Sequence, residues 1–205
     1  MPLETIEKQT GESPRGTVLV MHGLGADGND FVPFAQELDL RAIGAVRFVF
    51  PHAPVRPVTI NGGYRMHAWY DILGTETQRR EDEAGLRQSI ALIEELLARE
   101  KERGIAANRI ILAGFSQGCA MALLTGLRHA ERLAGIVGMS GYLPLREKTE
   151  AERSPANRDL PIFLADQDRP LGQGRLDGIR VDPAVAVDRQ LDDLEPELLE
   201  IAQGV

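Results

Sequence analysis

The chain has 205 residues, of which 43% are hydrophobic and 26% charged, and a formal net charge of −8. That length suits one domain around a single large core, and the composition is that of a globular protein. The acidic balance argues against nucleic acid as a partner, no apolar run is long enough to span a bilayer, and the single cysteine, Cys119, excludes an intrachain disulfide. The N-terminal stretch MPLETIEKQTGESPRG has no apolar segment of the kind a secretory signal needs, so a soluble, cytoplasmic protein is expected.

Thr17 to Met21 (TVLVM) has the pattern of a buried strand and runs directly into His22-Gly23-Leu24-Gly25. Asp27, Gly28, Asn29 and Asp30 offer turn and cap residues for a helix from about Phe31 to Leu38. A glycine-flanked loop straight after a strand lets a main-chain N–H, that of Leu24, turn inward. Seen alone, the segment is an ordinary strand-to-helix loop.

Val46 to Phe50 (VRFVF) predicts the next strand, closed by Pro51-His52-Ala53-Pro54, where the prolines fix an extended loop and make His52 a structural residue. In Val58 to Asp71, Asn61-Gly62-Gly63 marks a turn between two extended pieces. Tyr64, Trp69 and Tyr70 cluster there, either lining an apolar acyl pocket or forming a satellite core under a long loop. From Glu81 to Arg103 the sequence is amphipathic, with Leu86, Ile90, Ile93 and Leu97 on one face, acids at its start, basic residues at its end and Gly104 to stop it.

Arg109 to Gly126 (RIILAGFSQGCAMALLTG) is the stretch around which the rest is arranged. Ile110 to Leu112 predict a short buried strand, Gly114-Phe115-Ser116-Gln117-Gly118 interrupts it, and Ala120, Met121, Leu123, Leu124 and Leu127 follow at helical spacing. Strand, G-x-S-x-G and helix together define a nucleophile elbow. Backbones pass so close at such a bend that Gly114 and Gly118 must lack a Cβ, and the helix start leaves the N–H of Gln117 aimed where an oxyanion would form. Cys119, on the helix behind it, is expected to be a small packing residue.

Leu133 to Met139 predicts another strand, Arg146 to Asp159 a charged irregular stretch, and Pro161 to Ala165 the last strand. Strands alternating with helices give an α/β fold, a mostly parallel sheet with helices on both faces, in a single domain over residues 1–205. The scattered histidines and the lack of a phosphate-binding glycine loop imply neither a metal nor an organic cofactor.

With VLVMHGLGADGNDF (from Val18), FPHAPVRPVTINGG (from Phe50), AWYDI (from Ala68), EDEAGLRQS (from Glu81), GFSQGCAMAL (from Gly114) and LAGIVGMSGYLPL (from Leu133), the chain resembles the bacterial carboxylesterase and acyl-protein thioesterase family of α/β-hydrolases. The resemblance implies Ser116 as nucleophile, Leu24 and Gln117 as main-chain oxyanion donors, and hydrolysis of carboxylic esters or thioesters through an acyl-enzyme. A small-molecule substrate with a short to medium acyl group is expected, and from the aromatic cluster Trp69 and Tyr70 are the candidates for its pocket. Cys119 stands where the family usually has glycine.

Beyond Ala165 the family pattern breaks. The family follows this strand with an aspartate that orients a catalytic histidine, and then with the histidine itself. Asp168, and less readily Asp166, fits the aspartate role, but no histidine follows His129, and residues 166–205 hold ten acids against four arginines with no aromatic. His22 and His52, on neighbouring strand ends, are the nearest substitutes. The expectation is a divergent C-terminal tail that leaves the family pattern near Ala165, by a change of reading frame or by natural divergence, and impaired activity, because a serine hydroxyl is a poor nucleophile without a base. The alternative is an inactive hydrolase-fold protein that binds an acyl or aromatic ligand or a protein partner. An unpaired last strand would also favour a homodimer.

Overall fold

The computed structural model describes residues 2–38, 40, 42–74 and 80–165. The tail from residue 166 onward, with Asp166 and Asp168, lies outside the described residues, as does whatever pairing follows the last strand.

Among the described residues eight strands and four α-helices follow in the order β1 (Thr5–Gln9), β2 (Gly16–Met21), α1 (Phe34–Glu37), β3 (Val46–Pro51), β4 (Val55–Val58), β5 (Tyr64–His67), α2 (Glu83–Glu102), β6 (Ile110–Phe115), α3 (Gln117–Arg128), β7 (Gly135–Met139), α4 (Arg146–Glu152) and β8 (Ile162–Ala165). Six strands form one sheet in the order β1-β3-β2-β6-β7-β8, while β4 and β5 make a separate antiparallel hairpin. All neighbours in the main sheet run parallel except β1, which pairs antiparallel with β3. The sheet is therefore the expected mostly parallel one.

Strand alternation divides the core into two layers. Leu19, Met21, Val49, Ile110 and Leu112 face α2 and α3, whereas Val20, Phe48, Phe50 and Ala113 face the short α1 side. Helix α3 is buried on every side from Gln117 to Leu127, which explains its nearly uninterrupted small and apolar sequence. Helix α2 buries Leu86, Ile93 and Leu97 as its periodicity predicts; the Asp82 carboxylate caps its start by accepting from the Gly85 N–H at 2.9 Å, and Gly104 follows its end at φ +89°.

One strand goes beyond the sequence expectations, and two of those expectations are corrected. The N-terminal stretch contributes β1, whose Thr-Ile-Glu-Lys-Gln sequence is polar because it is an edge strand. The single helix expected from Phe31 to Leu38 is instead a 3₁₀ turn, Gly28–Phe31, capped reciprocally by Asp27 and Asp30, followed by the one-turn α1. Pro33, which has no N–H to continue the ladder, separates them. The stretch from Arg146, expected to be irregular, begins with α4, which packs near α3.

Edge strand β1 is tied to the end of α2 by ion pairs. Arg103 holds Glu7 through two bonds of 2.9 and 2.8 Å, and Glu100, wholly buried, accepts from Arg47 at 2.7 Å, from the Thr17 hydroxyl at 2.7 Å and from Arg103 at 2.9 Å. A carboxylate without water is tolerable only when its lone pairs are filled in this way. Glu100→Ala, which strands the Arg47 charge, is expected to cost about 3 to 5 kcal/mol in urea unfolding, and adding Arg47→Met to recover part of that loss. A single-variant cost near zero would mean that the network is not a structural tie.

Candidate active site

Ser116 is the junction between β6 and α3. Its backbone, at φ +52° and ψ −114°, lies outside the region ordinary L-residues occupy, and the surrounding chain enforces the bend. Its N–H donates to Met139 O at 2.9 Å, and its carbonyl accepts the first helical bond, from Ala120 N, at 3.1 Å. The N–H of Gln117 therefore lies ahead of the helical ladder.

The glycines flanking the serine are sterically required. A Cβ on Gly114 would come within 2.2 Å of the Gly118 carbonyl carbon, and one on Gly118 within 2.0 Å of Met21 O. The second contact shows how tightly the start of α3 sits against the end of β2. Met21 leads straight into His22-Gly23-Leu24-Gly25, and this segment passes beside the serine: a Cβ on Gly23 would lie 3.4 Å from Ser116 Cβ. Ser116 itself is half-buried. Cys119 is fully buried and fits because positions 138 and 141 are glycines, each of which would meet its side chain if given a Cβ.

The HGLG loop is held by buried polar groups. Ala53 N–H donates to His22 Nε2 at 3.0 Å, so the proton of the neutral ring sits on Nδ1, which donates to Gly23 O at 2.7 Å. On the far side of Leu24, Gly25 N–H donates to His67 O at 2.9 Å, joining the loop to hairpin β4–β5. Trp69 has no exposed surface: its indole N–H donates to His22 O at 2.9 Å, its main-chain N–H to Gln117 Oε1 at 3.0 Å, and its carbonyl accepts from the Ser89 hydroxyl. The Gln117 amide donates in turn to Tyr70 O at 3.0 Å.

The Gly23-Leu24 loop after β2 and the Ser116-Gln117 bend after β6 thus lie side by side. Of the two possibilities open for the aromatic cluster, burial favours core. Trp69 is sealed off, Tyr70 is 4% exposed with its hydroxyl on Tyr142 Oη at 3.2 Å, and Tyr64 stands out in solvent at 70% exposure. Burial pushes the Tyr70 phenol well above its usual range, so it stays neutral. A cavity of about 770 Å³ lined by Lys8, Thr10, Gln36, Leu40 and Phe48 shares no residue with this site.

Each histidine ring is hydrogen-bonded to a group other than Ser116. Both ring nitrogens of His22 are used by main chain; His52 Nδ1 accepts from Gly28 N–H at 3.3 Å; His67 Nδ1 donates to Ala53 O at 2.5 Å; and His129, at the end of α3, pairs with Glu94 at 2.8 Å. Among the described residues no histidine ring is hydrogen-bonded to Ser116, and no group of histidine, cysteine and carboxylate side chains could hold a metal ion. No helix among them is long and apolar enough to cross a membrane. The sequence reading missed the Gln117 side chain and the Ser89 hydroxyl; a lone amide in an otherwise small and apolar buried helix was the available signal for the first.

A parallel sheet carrying a strained serine bend at a strand-to-helix junction, with a glycine loop from the adjacent strand beside it, defines an α/β-hydrolase. The family model described as phospholipase/carboxylesterase matches residues 3–168, and the chain belongs to that family. Acyl-protein thioesterase 1 of Yarrowia lipolytica is 40% identical over 151 residues, 73% of this chain and 66% of the relative; that of Schizosaccharomyces pombe is 41% identical over 148 residues, 72% and 65%. This chain thus spans just under two-thirds of either relative. The crystal structure of Zea mays acyl-protein thioesterase 2 superposes with a TM-score of 0.68 at 27% identity, covering 80% of this chain and 75% of that one.

Two measurements check the geometry. Gly118→Ala places a methyl against main-chain oxygen that cannot swing aside, and should destabilise by about 3 kcal/mol or more in thermal or urea unfolding. Burial holds the His22 imidazole below its ordinary value of 6.5, with the Gly23 carbonyl, Asp27 and Asp30 opposing the shift and neighbouring His67 adding to it. The unfolded chain then binds the proton more readily, so this contribution is present above pH 6.5 and lost as pH falls through the folded-state value. The urea midpoint is expected to decline below about pH 6.5, and His22→Gln to remove that part of the slope. An unchanged slope in His22→Gln would contradict the neutral, doubly bonded ring.

Proposed function

We propose that the chain is a serine hydrolase of carboxylic esters or thioesters with short to medium acyl groups. The observation carrying this reading is the strained bend at Ser116, beside the Gly23-Leu24 loop. Ser116 Oγ attacks the acyl carbon, and the carbonyl oxygen, gaining negative charge, is received by the N–H groups of Gln117 and Leu24. Such donors act in a site shielded from water, where one of them is worth about 3 to 4 kcal/mol in a comparable protease. Collapse of the tetrahedral intermediate expels the alcohol or thiol and leaves an acyl-serine for water to hydrolyse. The relatives' names, acyl-protein thioesterase, support a thioester as one substrate class.

The base that takes the serine proton is assigned to none of the four histidines: His22 has both ring nitrogens bonded to main chain, and the other three rings are hydrogen-bonded at Nδ1 to groups other than Ser116. Asp168 is proposed as the carboxylate of the site by family resemblance alone, and it lies outside the described residues. Loss of the base costs about a millionfold in turnover in a comparable triad enzyme, while the oxyanion hole and binding alone leave about 10³ to 10⁴ over water. The lack of a histidine bonded to Ser116 among the described residues favours a second reading, in which the fold captures an acyl or aromatic ligand, or a protein partner, with little or no turnover.

The test combines a fluorophosphonate probe with release of p-nitrophenol from p-nitrophenyl butyrate. Labelling of the native chain, its loss in Ser116→Ala, and ester cleavage abolished by the same substitution are expected. Labelling without cleavage supports the second reading, and neither labelling nor cleavage overturns the hydrolase assignment.

A further inference from the structure

We infer that Gln117, Trp69 and His22 form one relay of positioning residues that fixes the second oxyanion donor, Leu24 N–H, relative to the first, Gln117 N–H. The inference deepens the proposed function and rests on it.

The Leu24 N–H belongs to the same planar peptide as the Gly23 carbonyl, and in a trans peptide the two point in opposite directions. The Gly23 carbonyl is held at 2.7 Å by His22 Nδ1–H. The imidazole therefore sets the orientation of that peptide and turns the Leu24 N–H away from itself. Rotating the peptide would break a buried hydrogen bond and bring N–H against N–H. Ala53 N–H, by donating to Nε2, selects the one neutral tautomer that can do this. Accepting a hydrogen bond at the carbonyl also polarises the peptide and makes its N–H a better donor.

The preceding peptide is fixed from the other side. Trp69 Nε1–H donates to the His22 carbonyl at 2.9 Å, and the indole packs against the imidazole with ring centroids 5.5 Å apart. Trp69 is itself placed by the Gln117 amide, which accepts from Trp69 N–H and donates to Tyr70 O, both at 3.0 Å. Gln117 is thus the residue whose main chain supplies one donor and whose side chain, through Trp69 and His22, braces the other. Leu24 and Gln117 come from segments nearly a hundred positions apart in sequence. Without a brace, the loop between β2 and the 3₁₀ turn could shift independently of α3, and a donor displaced by about 1 Å loses most of its effect on a developing charge.

The experiment is saturation kinetics of fluorophosphonate labelling, which separates kinact from KI. Trp69→Phe keeps a ring and removes the indole N–H; Gln117→Met keeps the main-chain donor and the volume but removes both amide bonds. Each is expected to lower kinact about 10- to 100-fold with KI little changed, and the double variant to be no slower than the worse single one, because both act through one relay. Leu97→Ala, a core truncation in α2, supplies a loss of stability with kinact retained. Should either Trp69→Phe or Gln117→Met fail to fold, the other reads the same quantity. Unchanged kinact in the folded variant, or an equal fall in Leu97→Ala, overturns the relay and leaves the hydrolase assignment standing. A native chain that the probe does not label removes both.

Discussion

The rest of the structure depends on one strained residue. A non-glycine backbone at φ +52° costs about 1 to 3 kcal/mol and persists only where its surroundings leave no alternative. Here β6 and α3 meet at that angle because β6 is paired on both sides, with β2 and β7, and α3 is buried on all faces. Neither element can relax without unpairing strands or exposing core. The close approach that follows, Gly118 against Met21 O, joins the elbow to the end of β2 and places the glycine loop beside the serine.

That proximity carries a cost in polar burial. The loops around the bend contain an imidazole, an indole N–H, an amide and several main-chain groups with little access to water, and each unpartnered group would cost about 1 to 3 kcal/mol. The structure meets this by pairing them with one another across sequence: Ala53 with His22, His22 with Gly23 and Trp69, Trp69 with Gln117 and Ser89, Gln117 with Tyr70. Trp69 reaches zero exposure because all three of its polar groups are satisfied. The hydrogen bonds that tie the loops around the serine together are thus the ones that satisfy these buried groups.

Much of this was legible in the sequence. The strand before Ser116, the glycines around it and the apolar helix after it obey local rules, and so do the β2 run into HGLG and the amphipathic α2. What stayed hidden depends on neighbours remote in sequence. Thr5–Gln9 has no apolar run because an edge strand buries only part of itself, and only β3 makes it a strand. Tyr64, Trp69 and Tyr70 look like one cluster, yet the hairpin exposes the first while the loop after it buries the other two. A pattern of residue types reveals a donor such as Gln117 N–H from the helix start, but not that its side chain reaches Trp69, 48 positions earlier.

The histidines show the same limit from the side of chemistry. His22 and His52 stand after β2 and β3, at the carboxyl edge of the sheet where Ser116 also lies, so a count of histidines would nominate them as replacement bases. A base needs a free lone pair facing the serine and a ring that tolerates charge. His22 has neither: its lone pair is filled by Ala53 N–H, its proton is held by Gly23 O, and burial disfavours the imidazolium. Turning it into a base would mean giving up a buried main-chain bond on each side and loosening the loop that carries Leu24. The two bonds that hold this imidazole in the Gly23-Leu24 loop are thus the ones that disqualify it from proton transfer.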